Sequence, residues 1–466
     1  MPLISGPEKL LPDIKKQVPT LNSRAFLTAL PGLLKTPIPA LVNLSSTHGD
    51  ILKISAGPFQ VFTLINDPDL AREVLKNSNG VYNRRKILYA LKDFLGEGIF
   101  RARPQAWQES RSRMKPAFHE QAIRQYESVM QEEIEAFIHQ ANQRIRENQR
   151  FQMEAPFDTL SLRILFRAHF FEEFFPDEQT LIHQLHDILF SASLTAQKSQ
   201  YVKNWARQLV GKPAVPPARS VKALREVDKL VEELIGRATE EPDKAGYLLK
   251  RLLAAWKAGQ IPQSLVRDEL MNFLFAGWDT VGVALSWGVY CLASHPEIQE
   301  KARKESITLG QDLNMASLGE LKYTRMVVQE VLRLYPSVWA IFRVTDADLR
   351  LGDYHIPEKT HVLISPPVMH RNATWWEQPE AFKPERFAPE NRSFKGQAYV
   401  PFGSGPTLCI GSRMAMTEIQ LALAFLLRHF RFKLSSAETP RILPEIIIKT
   451  AKPLPVAWIP ISSSTF

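Results

Sequence analysis

The sequence predicts a mainly α-helical chain with a smaller β-rich lobe. Apolar residues recur at helical spacing from Glu120 to Gln149, from Phe157 to Phe175 and from Ser264 to Cys291. Short runs rich in Ile, Val, Phe and Thr lie instead near residues 51–65 and again after Tyr335, around Gly352-Asp353 and from His361 to Ser365. No Gly/Ser-rich linker, charge block or internal repeat divides the 466 residues, which therefore read as one large unit.

An apolar fraction of 45% with 23% charged residues excludes a disordered or fibrous chain. The longest apolar stretch near the N-terminus, Phe26 to Val42, is interrupted by Pro31, Lys35, Pro37 and Pro39, so it cannot span a bilayer as a helix, and no signal peptide precedes it. The 58 Lys and Arg outnumber the 49 Asp and Glu, for a net charge of +9. Such a surface attracts nucleic acid, anionic lipid or an acidic protein. No nucleic-acid motif accompanies it. The two cysteines, Cys291 within an apolar helical pattern and Cys409 in a turn, suggest no disulfide framework and fit a reducing compartment.

In chain order, Ile51 to Ile65 reads as two short strands around a Gly57-Pro58 turn, and Asp67 to Lys76 as a helix opened by Pro68. Gly96 and Gly98 lead into an irregular stretch, Ile99-Phe100-Arg101. Trp107 and Arg111, four apart on the next helix, share a face and can hold one anionic group, with Arg101, Arg103, Arg113 and Lys115 around them. His183 and His186 have a metal-clamping spacing with Asp187 beside them, but no third ligand lies near, so a solvated helix face outweighs a metal site roughly nine to one. The prolines of Gly211 to Ala218 interrupt any helix there.

The segment Ser264 to Cys291 is the longest helical pattern and is apolar nearly all round, so it should run through the core. At its middle stand Phe275-Ala-Gly-Trp-Asp-Thr280. Gly277 and the small Ala276 open space, and Thr280 can bond back to a carbonyl, conditions under which a helix bends. Asp279 and Thr280 are expensive in an apolar helix unless satisfied or used. Glu330 and Arg333, three apart on a later apolar helix, can form a bidentate pair. Finally, Ala398 to Gly411 forms a Gly- and Pro-rich turn that delivers Cys409 to the start of an apolar helical run, where helix N–H groups favour a thiolate.

The pattern Phe402-x-x-Gly405-x-x-x-Cys409-x-Gly411 resembles the haem-ligand signature of the cytochrome P450 family. The same family has the small-Gly-x-acid-Thr pattern of Ala276 to Thr280, the Trp-x-x-x-Arg pair of Trp107 and Arg111, and a Glu330, Arg333 and Arg386 network. Arg386 here stands in Pro384-Glu385-Arg386-Phe387. The resemblance covers about residues 40 to 430 and implies the cytochrome P450 fold, with residues 1–40 a leader without a transmembrane helix and 41–466 a single catalytic domain. It implies haem b, with Cys409 the axial iron ligand and Trp107, Arg111, Arg343, Phe402, Gly403, Thr407, Gly411 and Ala276 around the cofactor. Thr407 departs from the family's Arg or His, so a propionate loses one cationic partner.

The implied activity is a monooxygenase that inserts one oxygen atom of O2 into an apolar substrate of the fatty acid, terpenoid or steroid class. In it the electron-rich sulfur promotes O–O cleavage, Thr280 and Asp279 serve proton delivery, and Phe100, Phe275, Val338, Ile341 and Phe342 line the pocket. Gly211 to Ala218 resembles the loop between the helices that roof the substrate channel. The implied partner is an acidic ferredoxin or flavodoxin with its reductase, docking on the basic cluster and Arg413, and the enzyme is expected to be cytoplasmic, monomeric and at most peripherally in contact with a membrane. Two rival expectations are a peroxide-driven peroxygenase, disfavoured by the acid-alcohol pair, and a non-enzymatic haem-binding protein of the same fold, favoured only by Thr407.

Overall fold

The computed structural model describes residues 16–461 apart from 57–58, 78–79, 85–87, 89–90, 148–153, 174–175, 191–217, 311–312 and 392–397. The predicted Gly57-Pro58 turn and the Gly211 to Pro217 loop lie outside the described residues. Helices dominate, with short strands in small sheets, as the sequence predicts. Contacts gather the chain into two compact units, each built from separated segments.

The first unit, Met1–Ile87, Val338–Ala381 and Arg392–Cys409, holds the β-rich lobe. Its five-stranded sheet contains β1 (Ile51–Ala56), β2 (Phe59–Ile65), β3 (Tyr82–Asn83), β4 (Ile341–Thr345) and β5 (His361–Ile364) in the order β1-β2-β5-β4-β3. β1 and β2 pair antiparallel with Ile51 opposite Ile65, β2 and β5 run parallel with Thr63 opposite Val362, and β4 meets β5 antiparallel with Arg343 opposite Val362. Ile54, Leu64, Ile65, Val362 and Ile364 are fully buried, which explains the β-branched composition of these runs. Helix α1 (Pro68–Lys76) follows β2. The Asp67 carboxylate accepts from the N–H groups of Asp69 and Leu70, and proline at the first position costs no hydrogen bond.

The second unit, Leu88–Ser337, Phe382–Asn391 and Ile410–Phe466, is mostly helical. The helices used below are α2 (Pro104–Met114), α3 (Glu154–His169), α4 (Glu178–Phe190), α5 (Gln263–Ala276), α6 (Asp279–Ser294), α7 (Lys322–Leu334) and α8 (Ser412–His429), with strand β6 (Ile448–Thr450) near the C-terminus. The α6 helix lies in the core, with Val281 to Val289 all buried. Its close approach to α3 depends on Gly282, where a Cβ would stand 2.4 Å from Asp158 Oδ1. Trp287 stacks on Tyr335 at 3.8 Å between centroids.

Three predicted helices differ from the structure. Phe157 to Phe175 stops at His169, after which Phe171 forms an antiparallel bridge with Ala245. Ser264 to Cys291 is not one helix: the ladder stops at Gly277-Trp278 and restarts at Asp279, with the Thr280 hydroxyl donating to the Ala276 carbonyl across the gap at 2.8 Å. A Cβ at Gly277 would meet the Leu165 side chain at 2.7 Å, so the break needs glycine for room. Glu120 onward divides at Tyr126 into Glu120–Gln125 and Glu127–Arg146. Among the described residues no helix is long and apolar enough to cross a membrane.

Candidate active site

Cys409 is held in the first unit by a tight run of turns. Its N–H donates to the Phe402 carbonyl at 3.0 Å, the Gly403 N–H to Val400 at 3.1 Å, and Leu408 to Gly405 at 3.1 Å. Gly403 and Gly405 have φ of +74° and +68°, the left-handed region that other residues rarely enter. At Gly405 a Cβ would also lie 2.9 Å from the Leu75 carbonyl oxygen at the end of α1, so this position is glycine for two reasons. The Cys409 side chain is exposed. Behind the loop, buried His370 accepts from the Val400 N–H through Nε2 at 2.9 Å and stacks on Tyr399, an anchor that no sequence pattern revealed.

Arg343 belongs to the same unit and is only 8% exposed. Its guanidinium donates to the Phe342 carbonyl at 2.8 Å and to Thr407 Oγ1 at 3.3 Å, and among the described residues it meets no carboxylate. Burial pulls its pKa down to about 10. A buried cation without a counter-charge is costly. One exposed sulfur, one uncompensated cation and a hydroxyl beside it fit an iron porphyrin carrying a propionate. Strand alternation places Ile341 on the face of Arg343, with its Cδ1 3.9 Å from where a Gly403 Cβ would stand, and turns Phe342 to the opposite face. Val338 is half-buried at the start of this segment.

In the second unit, Arg111 lies over the Trp107 ring at 5.5 Å, and both are half-buried on α2. Gly411 caps the start of α8 and makes only an ordinary contact with Phe118. The basic cluster around α2 is smaller than the sequence suggests. Arg101 is 5% exposed and spends its guanidinium on the carbonyls of Gly96 and Leu88, while Arg413 pairs with Glu120 at 3.0 Å. Arg103, Lys115 and Arg413 are exposed, Arg413 through its surface pair with Glu120.

At the break between α5 and α6, Phe275, Ala276, Gly277 and Thr280 are half-buried whereas Trp278 and Asp279 are buried, so the neighbours Asp279 and Thr280 face different ways. The Thr280 carbonyl accepts from Ser337 Oγ at 2.6 Å and Trp278 Nε1 donates to Leu274 at 2.8 Å, which fixes the broken turn on both sides. Phe275 meets Phe100 edge-on at 5.3 Å.

Asp279 turns into a buried ionic group that sequence reasoning did not assemble. Its Oδ2 lies 3.0 Å from Lys449 Nζ on β6 and 3.8 Å from His186 Nε2 on α4, and Lys449 also donates to His186 at 2.7 Å. Asp158 on α3 completes the set around a cavity of about 20 Å³, room for about one water. Burial alone would lower the Lys449 pKa, but attraction to Asp279 and Asp158 outweighs it and the net shift is upward. His186 is pushed down to about 4, first by burial and then by Lys449, and so is neutral. Ligand atoms of Asp158, His186 and Asp279 lie within 4.8 Å of one another, but the Lys449 ammonium supplies the positive charge there. His183 is exposed on the solvated face of α4.

Glu330 and Arg333 are both fully buried on α7, with contacts of 2.8 and 2.9 Å, and Glu330 also meets Arg386 Nε at 3.0 Å and the Lys383 N–H at 2.8 Å. Four hydrogen bonds to one carboxylate satisfy a charge that would otherwise be prohibitive in the core.

Residues 24–457 match the family model described as Cytochrome P450. The chain belongs to the cytochrome P450 family. Among its relatives, cyclooctatin synthase of Streptomyces melanosporofaciens is 28% identical and covers 91% of both chains. Pentalenene oxygenase of Streptomyces avermitilis is 26% identical, covering 86% of this chain and 87% of its own. Protein LUTEIN DEFICIENT 5, chloroplastic, of Arabidopsis thaliana is 26% identical over 97% of this chain and 79% of its own. The crystal structure of the cytochrome P450 CYP102L1 superposes with a TM-score of 0.80 at 22% identity, covering 97% of this chain and all of that one, which establishes the shared fold. As a cytochrome P450 the chain is an oxidoreductase of the monooxygenase type that binds haem b, acts on an organic substrate and takes electrons from a redox partner.

Proposed function

We propose that this cytochrome P450 inserts one oxygen atom of O2 into an apolar substrate of the fatty acid, terpenoid or steroid class, with Cys409 the axial ligand of haem b. The observation that carries the assignment is the Cys409 turn lying in the same unit as Arg343, a buried cation that meets no carboxylate among the described residues. Haem with a thiolate ligand supplies reductive cleavage of dioxygen. Residues 41–466 act as one catalytic domain.

In this reading, Arg343, Trp107 and Arg111 hold the propionates, with Thr407 steadying Arg343 in place of the family's second cation. Phe402, Gly403, Gly411 and Ala276 leave flat, unobstructed surface for the macrocycle. Thr280 presents its hydroxyl at the broken turn and orders water there, and Asp279, paired with Lys449 at 3.0 Å, accepts and returns protons. Phe100, Phe275, Val338 and Ile341 exclude water from the substrate, whereas Phe342 lies on the other strand face. A relative named pentalenene oxygenase, whose name denotes a hydrocarbon, supports an apolar substrate. The electron donor is an acidic ferredoxin or flavodoxin with its reductase, steered by Arg103 and Lys115. The enzyme works as a cytoplasmic monomer.

The test is spectroscopic. Reduced, CO-treated wild type should show the thiolate Soret band, and Cys409→Ser should lose it. Retention of that band in Cys409→Ser would sink the assignment. Turnover with a ferredoxin pair but not with peroxide alone supports the monooxygenase over the peroxygenase.

A further inference from the structure

The second and third turns of α5 carry an unusual row of acceptors. Asp268 accepts from the Glu97 N–H at 2.8 Å, Glu269 from Ile99 at 3.0 Å, and Asn272 from Phe100 at 2.9 Å, while the Asn272 amide donates back to the Leu95 carbonyl at 2.8 Å. The segment Leu95 to Arg101 is thus laid along the helix by side chains at i, i+1 and i+4, one face of a helix. Its glycines are shaped to this contact. A Cβ at Gly96, where φ is +53°, would lie 2.1 Å from the Asp268 carboxylate, and one at Gly98 would lie 2.3 Å from Asn272 Nδ2.

Two consequences meet at Glu269, which is fully buried. It binds the Ser110 hydroxyl on α2 as well as the Ile99 N–H, so one carboxylate ties together the loop, the helix of Trp107 and Arg111, and the helix that breaks at Gly277. Immediately after the last clamped N–H, the Phe100 ring meets Phe275 at 5.3 Å, and Phe94 meets the same ring at 6.4 Å. The ring cannot shift without releasing the Asn272 bond or turning about its own side chain.

We propose that Asn272 and Glu269 are positioning residues for specificity: they hold the backbone of Ile99 and Phe100 on α5, fix the Phe100 ring against Phe275, and so set which apolar substrates the enzyme admits. This rests on the reading that Phe100 and Phe275 wall the substrate pocket. Neither residue touches the reacting atoms in this scheme. The size limit of the pocket is set from behind its wall.

The test uses the holoenzyme with Asn272→Leu, which removes the acceptor at similar volume, Gly98→Ala, which pushes the loop off the clamp from the other side, and Phe100→Ala. Amide exchange of residues 95–101 is followed, and imidazole and 4-phenylimidazole are titrated by the Soret shift. Asn272→Leu and Gly98→Ala should each speed exchange about tenfold, as expected for a lost buried hydrogen bond. Both should also change the ratio of the two affinities about threefold or more, in the direction that Phe100→Ala changes it. Unchanged exchange in both variants overturns the clamp. Faster exchange with an unchanged ratio, while Phe100→Ala does change it, overturns the specificity role alone. If Phe100→Ala leaves the ratio unchanged, the pocket-wall reading fails and the specificity role falls with it.

Discussion

Arg343 and Asp279 are both buried charges, but they are treated in opposite ways. Asp279 is enclosed by partners the chain itself provides, the cation Lys449 at 3.0 Å and neutral His186 at 3.8 Å. Arg343, 8% exposed, has only a carbonyl and a hydroxyl as partners among the described residues. A charge with its own counter-ion is a finished piece of protein. A cation left with neutral partners is half of an interaction whose anionic half comes from outside, and the propionate of haem b is that half in our account.

The comparison breaks most visibly at Lys449. Replacing it with Met strands Asp279 as an uncompensated buried carboxylate, and the urea unfolding midpoint should fall by an amount equivalent to about 3–5 kcal/mol. The double variant Asp279→Asn/Lys449→Met should recover most of that loss, and purely additive losses would show that the two residues are not coupled.

A third buried ionisable group sharpens the contrast, because among the described residues Glu269 pairs with no cation in direct contact. Burial pushes its carboxyl up to about 7, against the bonds from Ser110 and Ile99. The folded chain therefore keeps a proton that the unfolded chain releases above its ordinary value of 4.5. Stability that is fully present below the unfolded value declines as pH rises towards 7. Glu269→Gln should flatten that decline by on the order of 2 kcal/mol between about pH 5 and pH 7, read from urea midpoints. A wild-type slope that persists in the variant would assign it to other groups.

Smaller effects test the supporting parts. Thr407→Val removes one 3.3 Å bond to Arg343 and should speed haem loss only about twofold. Arg103→Gln with Lys115→Gln should slow reduction by an acidic ferredoxin about two- to threefold at low salt and converge with wild type at high salt. A salt-independent difference would place the effect elsewhere than in steering.

The legible and illegible parts of the sequence divide along the same line. The Cys409 turn was legible because left-handed glycines and a loop-to-helix cysteine leave a local pattern, and Glu330 with Arg333 because three-residue spacing on an apolar helix has one economical use. The break at Gly277 was legible as a bend, but its completeness depends on Leu165, a neighbour far away in sequence. The Asp279 cluster was hidden because its members come from residues 158, 186, 279 and 449, and no spacing rule spans such distances. Arg101 misled for the same reason: its basic neighbours suggested a surface, whereas carbonyls of Gly96 and Leu88 draw it inside.

The most direct measurement is haem transfer to apomyoglobin from the Arg343→Met holoenzyme, at urea concentrations far below unfolding. Transfer should be about tenfold faster than from wild type, the loss of one charge-assisted bond to a propionate, while Lys449→Met transfers haem at the wild-type rate. A wild-type rate in Arg343→Met would contradict the claim that this buried cation waits for the cofactor.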